Sequence, residues 1–271
     1  FMSSQPQLYK YVKKNAPEIY EQIGRRVAEG RWETEGGMFV EADCNLASGE
    51  SLVRQFLYGK RFFKEEFGKD NVILWLPDVF GYSAALPQIM EKCGIRYFMT
   101  TKISWNEWNQ IPYDTFYWKG IDGTRILTHF IPTRDYTSPT RSLKTSQEYI
   151  SRFTTNYNGY IHPSQIKGAW QRYQQKDLNR EVLCSYGYGD GGGGPTAEML
   201  ETERRLSTGI PGCPATRQST ARAFFEKLEQ DVKGKKTPVW AGELYLEYHR
   251  ATYTSMARNK RYNRRGEFAL A

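Results

Sequence analysis

Two aspartates stand where the chain leaves an apolar strand. In ILWLPDVFGYSAALPQIM (residues 73–90), Asp78 follows the run Val72–Leu76, which has the composition of a strand covered on both faces. Pro77 has no N–H to give a ladder, so the chain leaves the sheet at Asp78 and Val79 and turns at Gly81. Asp190 lies in GYGDGGGGPTAEML (residues 187–200), after the predicted strand EVLCSY. In parallel sheets ligands collect outside the carboxyl ends of strands. Two carboxyl groups converging there can divide nucleophilic and general acid/base work between them. Taken alone, an aspartate after a strand is more often a capping or turn residue.

The elements that must position these groups follow in order. Phe1–Ser4 reads as the end of a strand, and PQLYKYVKKNAPEIYEQIGRRVAEG as two helices separated at Asn15–Pro17, with Gly30 closing the second. RWETEGGMFVE contains a strand broken at Gly36 and Gly37, and EADCNL is a loop in which Asp43 is either a ligand contact or a turn former before Asn45. Ser48 caps a helix whose apolar stripe is Leu52, Phe56, Phe63 and Phe67. A helix capped by Ser83 follows the Asp78 loop, then a strand in IRYFMTT, then a hairpin about Asp122-Gly123. His129 lies on the second hairpin arm and reads as structural. Residues 134–165 predict a surface excursion, GAWQRYQQKDLNR a helix, Val239–Tyr248 a last strand, and SMARNKRYNRRGEFALA the start of a helix.

WLPDVFGYSAALPQ resembles the nucleophile motif of glycoside hydrolase family 38, the retaining, metal-dependent α-mannosidases. The similarity extends through EADCNLASGESLVRQFLYGKRFF, TTKISWNEWN, THFIPT, GYGDGGGGPTAEML and GELYLEYHRATYTSMARNKR, which together span nearly the whole chain. The resemblance implies that Asp78 is both nucleophile and metal ligand, that Asp190 is the acid/base, and that His249 is a metal ligand. Retaining glycosidases need two such carboxyls about 5–5.5 Å apart. One divalent metal, zinc by its donors, is the implied cofactor. Asp43, Phe80 and Trp105 are the candidate substrate contacts; Trp105 and Trp108 can stack on a sugar or simply pack. The implied substrate is a mannoside or oligosaccharide with terminal α-mannose.

Complete members of the family carry an earlier strand with a His-x-Asp motif that supplies two further ligands, and nothing here matches it. The expectation is therefore an excised part of a larger enzyme, inactive alone and prone to self-association through an unpaired sheet edge. The expected fold is α/β, a mostly parallel sheet curled towards an incomplete (β/α) barrel with helices outside. Residues 1–250 would form the catalytic domain, and 251–271 the start of a helical bundle.

Composition leaves two competing classes. The chain has 271 residues, 39% of them hydrophobic, and a net charge of +8. Gly187, Gly189 and Gly192 satisfy G-x-G-x-x-G, a dinucleotide pattern, but about 20 residues on there is PGCPAT rather than a strand ending in an acid. The basic residues between Arg250 and Arg265 can bind nucleic acid or form a solvated helix face, and a neutral sugar does not require them. No apolar run approaches the roughly 20 residues that span a bilayer. Cys44, Cys93, Cys184 and Cys213 are widely spaced without a CxxC pair, which predicts free thiols and a cytoplasmic location.

Overall fold

A computed structural model of the protein describes residues 1–137 and 154–270. Half of the predicted surface excursion, residues 138–153, falls outside these residues. The chain divides into two compact units: Phe1–Met99 with Tyr117–Thr128 and Val239–Ala271, and Thr100–Phe116 with His129–Pro238.

Unit 1 holds a sheet and the helices against it. Helices α1 (Pro6–Asn15) and α2 (Pro17–Ala28) are separated at Ala16, because Pro17 cannot continue a helix but is favoured at the start of one. Together with α3 (Gly49–Phe67) they close a hydrophobic cluster of Tyr9, Ile23, Val27 and Phe63, with Trp32 and Phe67 packed on it. Ser48 caps α3 as the sequence predicts, its hydroxyl accepting from the Ser51 amide at 3.2 Å.

The strands are β1 (Ile73–Trp75), β2 (Tyr97–Thr100), β3 (Thr115–Lys119), β4 (Arg125–Phe130) and β5 (Val239–Ala241), in the order β1-β2-β4-β3-β5. β1 pairs parallel with β2, Leu74 opposite Phe98, and β3 pairs parallel with β5, Trp118 opposite Trp240. Between β1 and β2 the chain crosses over through α4 (Leu86–Lys92), the connection a parallel pair requires. β3 and β4 form the predicted hairpin: the Gly120 amide donates to Thr124 at 2.9 Å, and Asp122 Oδ1 accepts from the Thr124 amide at 3.0 Å. All residues of β1 and β2 are buried. The fold is the expected one, a mostly parallel, open sheet with helices around it.

Three strands are shorter than their sequence suggests. Phe1–Ser4 and residues 31–41 contribute only the isolated bridges Met2 to Glu33 and Gly36 to Leu74, since Gly37 turns left-handed (φ 80°) and ends any extended run. The last strand stops at Ala241 rather than Tyr248, because Gly242 takes φ 109°. Its predicted alternation survives: Leu244 and Leu246 are fully buried, and Leu244 exchanges both backbone hydrogen bonds with Tyr82.

Unit 2 contains α5 (Pro163–Arg172), α6 (Ala197–Ser207) and α7 (Ala221–Val232). α5 and α6 meet through Ile161, Ile166, Met199 and Leu206. The predicted helix at residues 168–180 instead starts at Pro163 and ends at Arg172. Buried Asp114 explains the stop: it pairs with Arg172 at 3.0 Å and accepts from the Gln174 amide at 3.0 Å, which pulls the chain out of helical geometry. EVLCSY is not a ladder strand and makes one bridge, Tyr186 to Gly159.

Candidate active site

Asp78 lies in a loop whose two ends are tied. After β1 the chain leaves the sheet through Leu76 and Pro77, and returns at Tyr82. The Tyr82 hydroxyl donates back to the Leu76 carbonyl at 2.7 Å, and the Tyr82 amide donates to Leu244 at 2.9 Å. Gly81, at φ 117°, makes the turn between them; a Cβ there would stand 2.9 Å from Asn45 Nδ2 and 3.2 Å from the Leu244 carbonyl. A five-residue excursion held at both ends presents the half-buried Asp78 in a defined place, where a longer loop would let it wander.

The loop is braced from two other segments of unit 1. The Phe80 carbonyl accepts from the Tyr253 hydroxyl at 2.9 Å and from Asn45 Nδ2 at 3.3 Å, and Asn45 Nδ2 also reaches the Tyr253 oxygen at 2.9 Å. The Phe80 ring lies 4.6 Å from the His249 ring, tilted by 35°. His249 itself is exposed and takes a left-handed backbone (φ 62°). Phe80 and His249 are thus brought together, with Asp78 two residues before Phe80 on the same loop.

Asp43 enters it by the turn-forming route. Its Oδ1 accepts from the backbone amides of Asn45 at 2.8 Å and Leu46 at 2.7 Å, an Asx turn that fixes the backbone from which the Asn45 side chain leaves. Sequence reasoning missed Glu41 and Tyr253. Burial pushes the Glu41 carboxyl up to about 6; the Ser4 hydroxyl hydrogen bond pulls it down, and the charge of Asp78 raises it. Burial raises the Tyr253 phenol, the Asn45 hydrogen bond lowers it, and the charge of Asp43 raises it. The signal for both was proximity in sequence to residues already singled out, Asp43 and His249. Cys44, two residues from Ala42 whose carbonyl holds its thiol, is fully buried with its pKa raised by burial, and is no nucleophile.

Asp190 belongs to unit 2. Tyr188 and Gly194 exchange backbone hydrogen bonds at 2.8 and 2.7 Å, which closes residues 189–193 into a small hairpin with Asp190 exposed on it. Gly191, Gly192 and Gly193 have φ of 90°, 96° and 133°, values that exclude most side chains. This geometry does not suit the dinucleotide reading. The glycines close on each other ahead of Pro195, and the N-terminus of α6 is capped by its own Thr196, which accepts from the Met199 amide at 3.2 Å.

Trp105, also in unit 2, is held rather than displayed. Its Nε1 donates to the Thr155 carbonyl at 3.1 Å, and Lys102 Nζ stands 4.1 Å from its ring centroid. Trp108 is the displayed member of the pair, 84% exposed. His129 is structural, as expected: wholly buried, with Nδ1 2.9 Å from the Thr115 hydroxyl.

Residues 1–243 match the profile of the Glycosyl hydrolases family 38 N-terminal domain. The chain belongs to that family. Among family 38 relatives it is 44% identical over its whole length to Alpha-mannosidase G of Dictyostelium discoideum and 42% identical to human Alpha-mannosidase 2C1, covering 23% and 24% of them. The chain thus spans about a quarter of the length of these relatives. In fold it is similar to an alpha-mannosidase from Enterococcus faecalis V583, with a TM-score of 0.66 at 19% identity, over 90% of this chain and 26% of that one.

The metal expected of family 38 can be tested against the donors present. Asp78 and His249 are of the right chemistry, a carboxylate and an imidazole. Among the described residues, however, no group of three or more His, Cys, Asp or Glu is placed to hold an ion. Two donors do not make a four-coordinate zinc centre.

Proposed function

We propose that these residues form part of a retaining, exo-acting α-mannosidase that removes terminal α-mannose from oligosaccharides. Family 38 membership supports the reaction class, and one observation supports the role of Asp78: the carboxylate is set at a strand exit on a loop pinned at Leu76, Phe80 and Tyr82. In this reading Asp78 attacks the anomeric carbon, the glycosidic bond breaks, and the departing oxygen takes a proton from Asp190. Asp190 then removes a proton from water, which hydrolyses the glycosyl ester with net retention. Asp43, Phe80 and Trp105 contact the substrate. Asp78 and His249 are the donors this chain can offer a divalent metal, zinc by its chemistry; further donors come from elsewhere in the complete protein. Residues 1–250 serve as the catalytic part, and 251–271 open a helical one.

The four cysteines are free, which supports a reducing, cytoplasmic setting. No helix of the described residues is long and apolar enough to cross a membrane. In the basic tail, the helix at Ala257–Leu270 has no buried residue; within it Arg264 pairs with Glu267, and Lys260 donates to the carbonyl of Ser255, just before the helix, at 2.7 Å.

The test is hydrolysis of p-nitrophenyl α-mannoside by the complete protein, with and without Asp78→Ala. Loss of turnover, together with covalent labelling of the Asp78 peptide by an activated fluoromannoside, supports the assignment. A label on another residue refutes it. Asp190→Ala should slow substrates with poor leaving groups far more than activated ones; equal losses across a leaving-group series exclude the acid/base role.

A further inference from the structure

We infer that Tyr253 is a positioning residue for the Asp78 loop, supplied from beyond the stretch that matches the family domain. The inference rests on Asp78 being the nucleophile. The domain match ends at residue 243, and Tyr253 closes a short 3-10 turn, Arg250–Tyr253, after it. Its half-buried hydroxyl does three things at once. It donates to the Phe80 carbonyl at 2.9 Å, accepts from Asn45 Nδ2 at 2.9 Å, and stands close enough to Asp43 for that charge to raise its pKa.

The Asn45 backbone in turn is held by the Asx turn on Asp43, and its side chain reaches the same Phe80 carbonyl. The three form a closed hydrogen-bonded triangle whose shared acceptor is the backbone two residues after Asp78. A carbonyl gripped from two sides fixes the peptide plane at Phe80, and with it the direction in which Asp78 leaves Pro77 and the face Phe80 turns to His249.

The turn is anchored in the other direction too. The helix after it, Ala257–Leu270, docks on the start of α3: Glu267 Oε1 accepts from the Ser48 amide and the Ser51 hydroxyl, both at 2.9 Å, and Arg264 donates to the Leu46 carbonyl at 3.0 Å. Both ends of residues 250–270 thus grip the segment Asp43–Ser51, and Tyr253 passes that grip to the Asp78 loop. Arg250 stacks on the Tyr253 ring at 4.9 Å and keeps it in place.

The experiment uses Tyr253→Phe, which keeps the ring and removes only the hydroxyl, in the complete protein. Amide exchange is read at Val79–Tyr82 and, as a reference, in α7. Expected is at least about tenfold faster exchange at Val79–Tyr82 with α7 unchanged. On p-nitrophenyl α-mannoside, kcat should fall about tenfold or more with KM within about twofold, since a positioned nucleophile acts in the transition state and not in ground-state binding. Asn45→Ala should act in the same direction, and the double variant should lose less than the sum. Unchanged exchange at Val79–Tyr82, an equal rise in α7, or loosened exchange with an unaltered kcat would each overturn the inference. If the unaltered protein hydrolyses no α-mannoside, the proposed reaction fails, and the exchange arms decide the clasp by themselves.

Discussion

His129 and Gly81 show how far a single residue answers to its surroundings. Burial lowers the His129 imidazole to about 3 from its ordinary 6.5. The unfolded chain therefore takes up a proton below pH 6.5 that the folded chain refuses until about pH 3, so the stability held above pH 6.5 drains as pH falls through that window. The slope approaches about 1.4 kcal/mol per pH unit. His129→Asn should be less stable than the parent at pH 7, through lost packing, with the gap narrowing at pH 6 and 5. Denaturant titrations at the three values check this; parallel pH profiles would contradict it. Gly81→Ala places a Cβ 2.9 Å from Asn45 Nδ2 in a backbone of φ 117°, and should cost about 1–3 kcal/mol. Its melting temperature measures the loss. At this scale the sequence was informative about residue type: the turn at Gly81, the structural His129 and the turn-forming Asp43 could all be anticipated. It was silent on Glu41, whose raised pKa comes from burial and from Asp78, 37 positions along the chain.

α3 carries two kinds of element-scale constraint. Its first turn is capped by Ser48, and the same turn receives Glu267 from the far end of the chain. Ser48→Ala should destabilise by about 1 kcal/mol. Midway along, Gly59 lets the helix lie against the backbone of residues 37–38: a Cβ there would meet the Gly37 carbonyl oxygen and the Met38 carbonyl carbon, each at 2.5 Å. Backbone cannot yield as a side chain can, so Gly59→Ala should cost about 1–3 kcal/mol or more. Thermal unfolding of the two variants orders them, and a Gly59→Ala protein as stable as the parent would show that α3 does not pack as described. Helix starts were legible where Pro6, Pro17 and Ser48 act on their own first turns, but not at α4, which starts at Leu86 without the expected Ser83 cap, nor at α5, which starts at Pro163. Helix and strand ends were less so: α5 stops at Arg172 on account of Asp114, which lies 58 positions away.

For the whole molecule, the donor count leads to a metal prediction. Among the described residues no three ligands converge, so the purified 271-residue chain, dialysed free of excess metal, should retain well below one zinc per chain and show no mannosidase turnover. Metal analysis and a p-nitrophenyl α-mannoside assay decide this; one tightly held zinc would mean that donors beyond Asp78 and His249 complete a site. The sequence by itself determined the class of fold, the strand exit at Pro77-Asp78, the hairpin at Asp122-Gly123 and the Ser48 cap, because those signals act over a few residues through φ limits, missing N–H groups and local hydrogen bonds. Only the tertiary structure decided that Tyr253 grips the Phe80 carbonyl across 173 positions and Asn45 across 208. Such pairs leave no local pattern, since a hydroxyl has the same propensity whether or not packing elsewhere brings an acceptor within 3 Å of it.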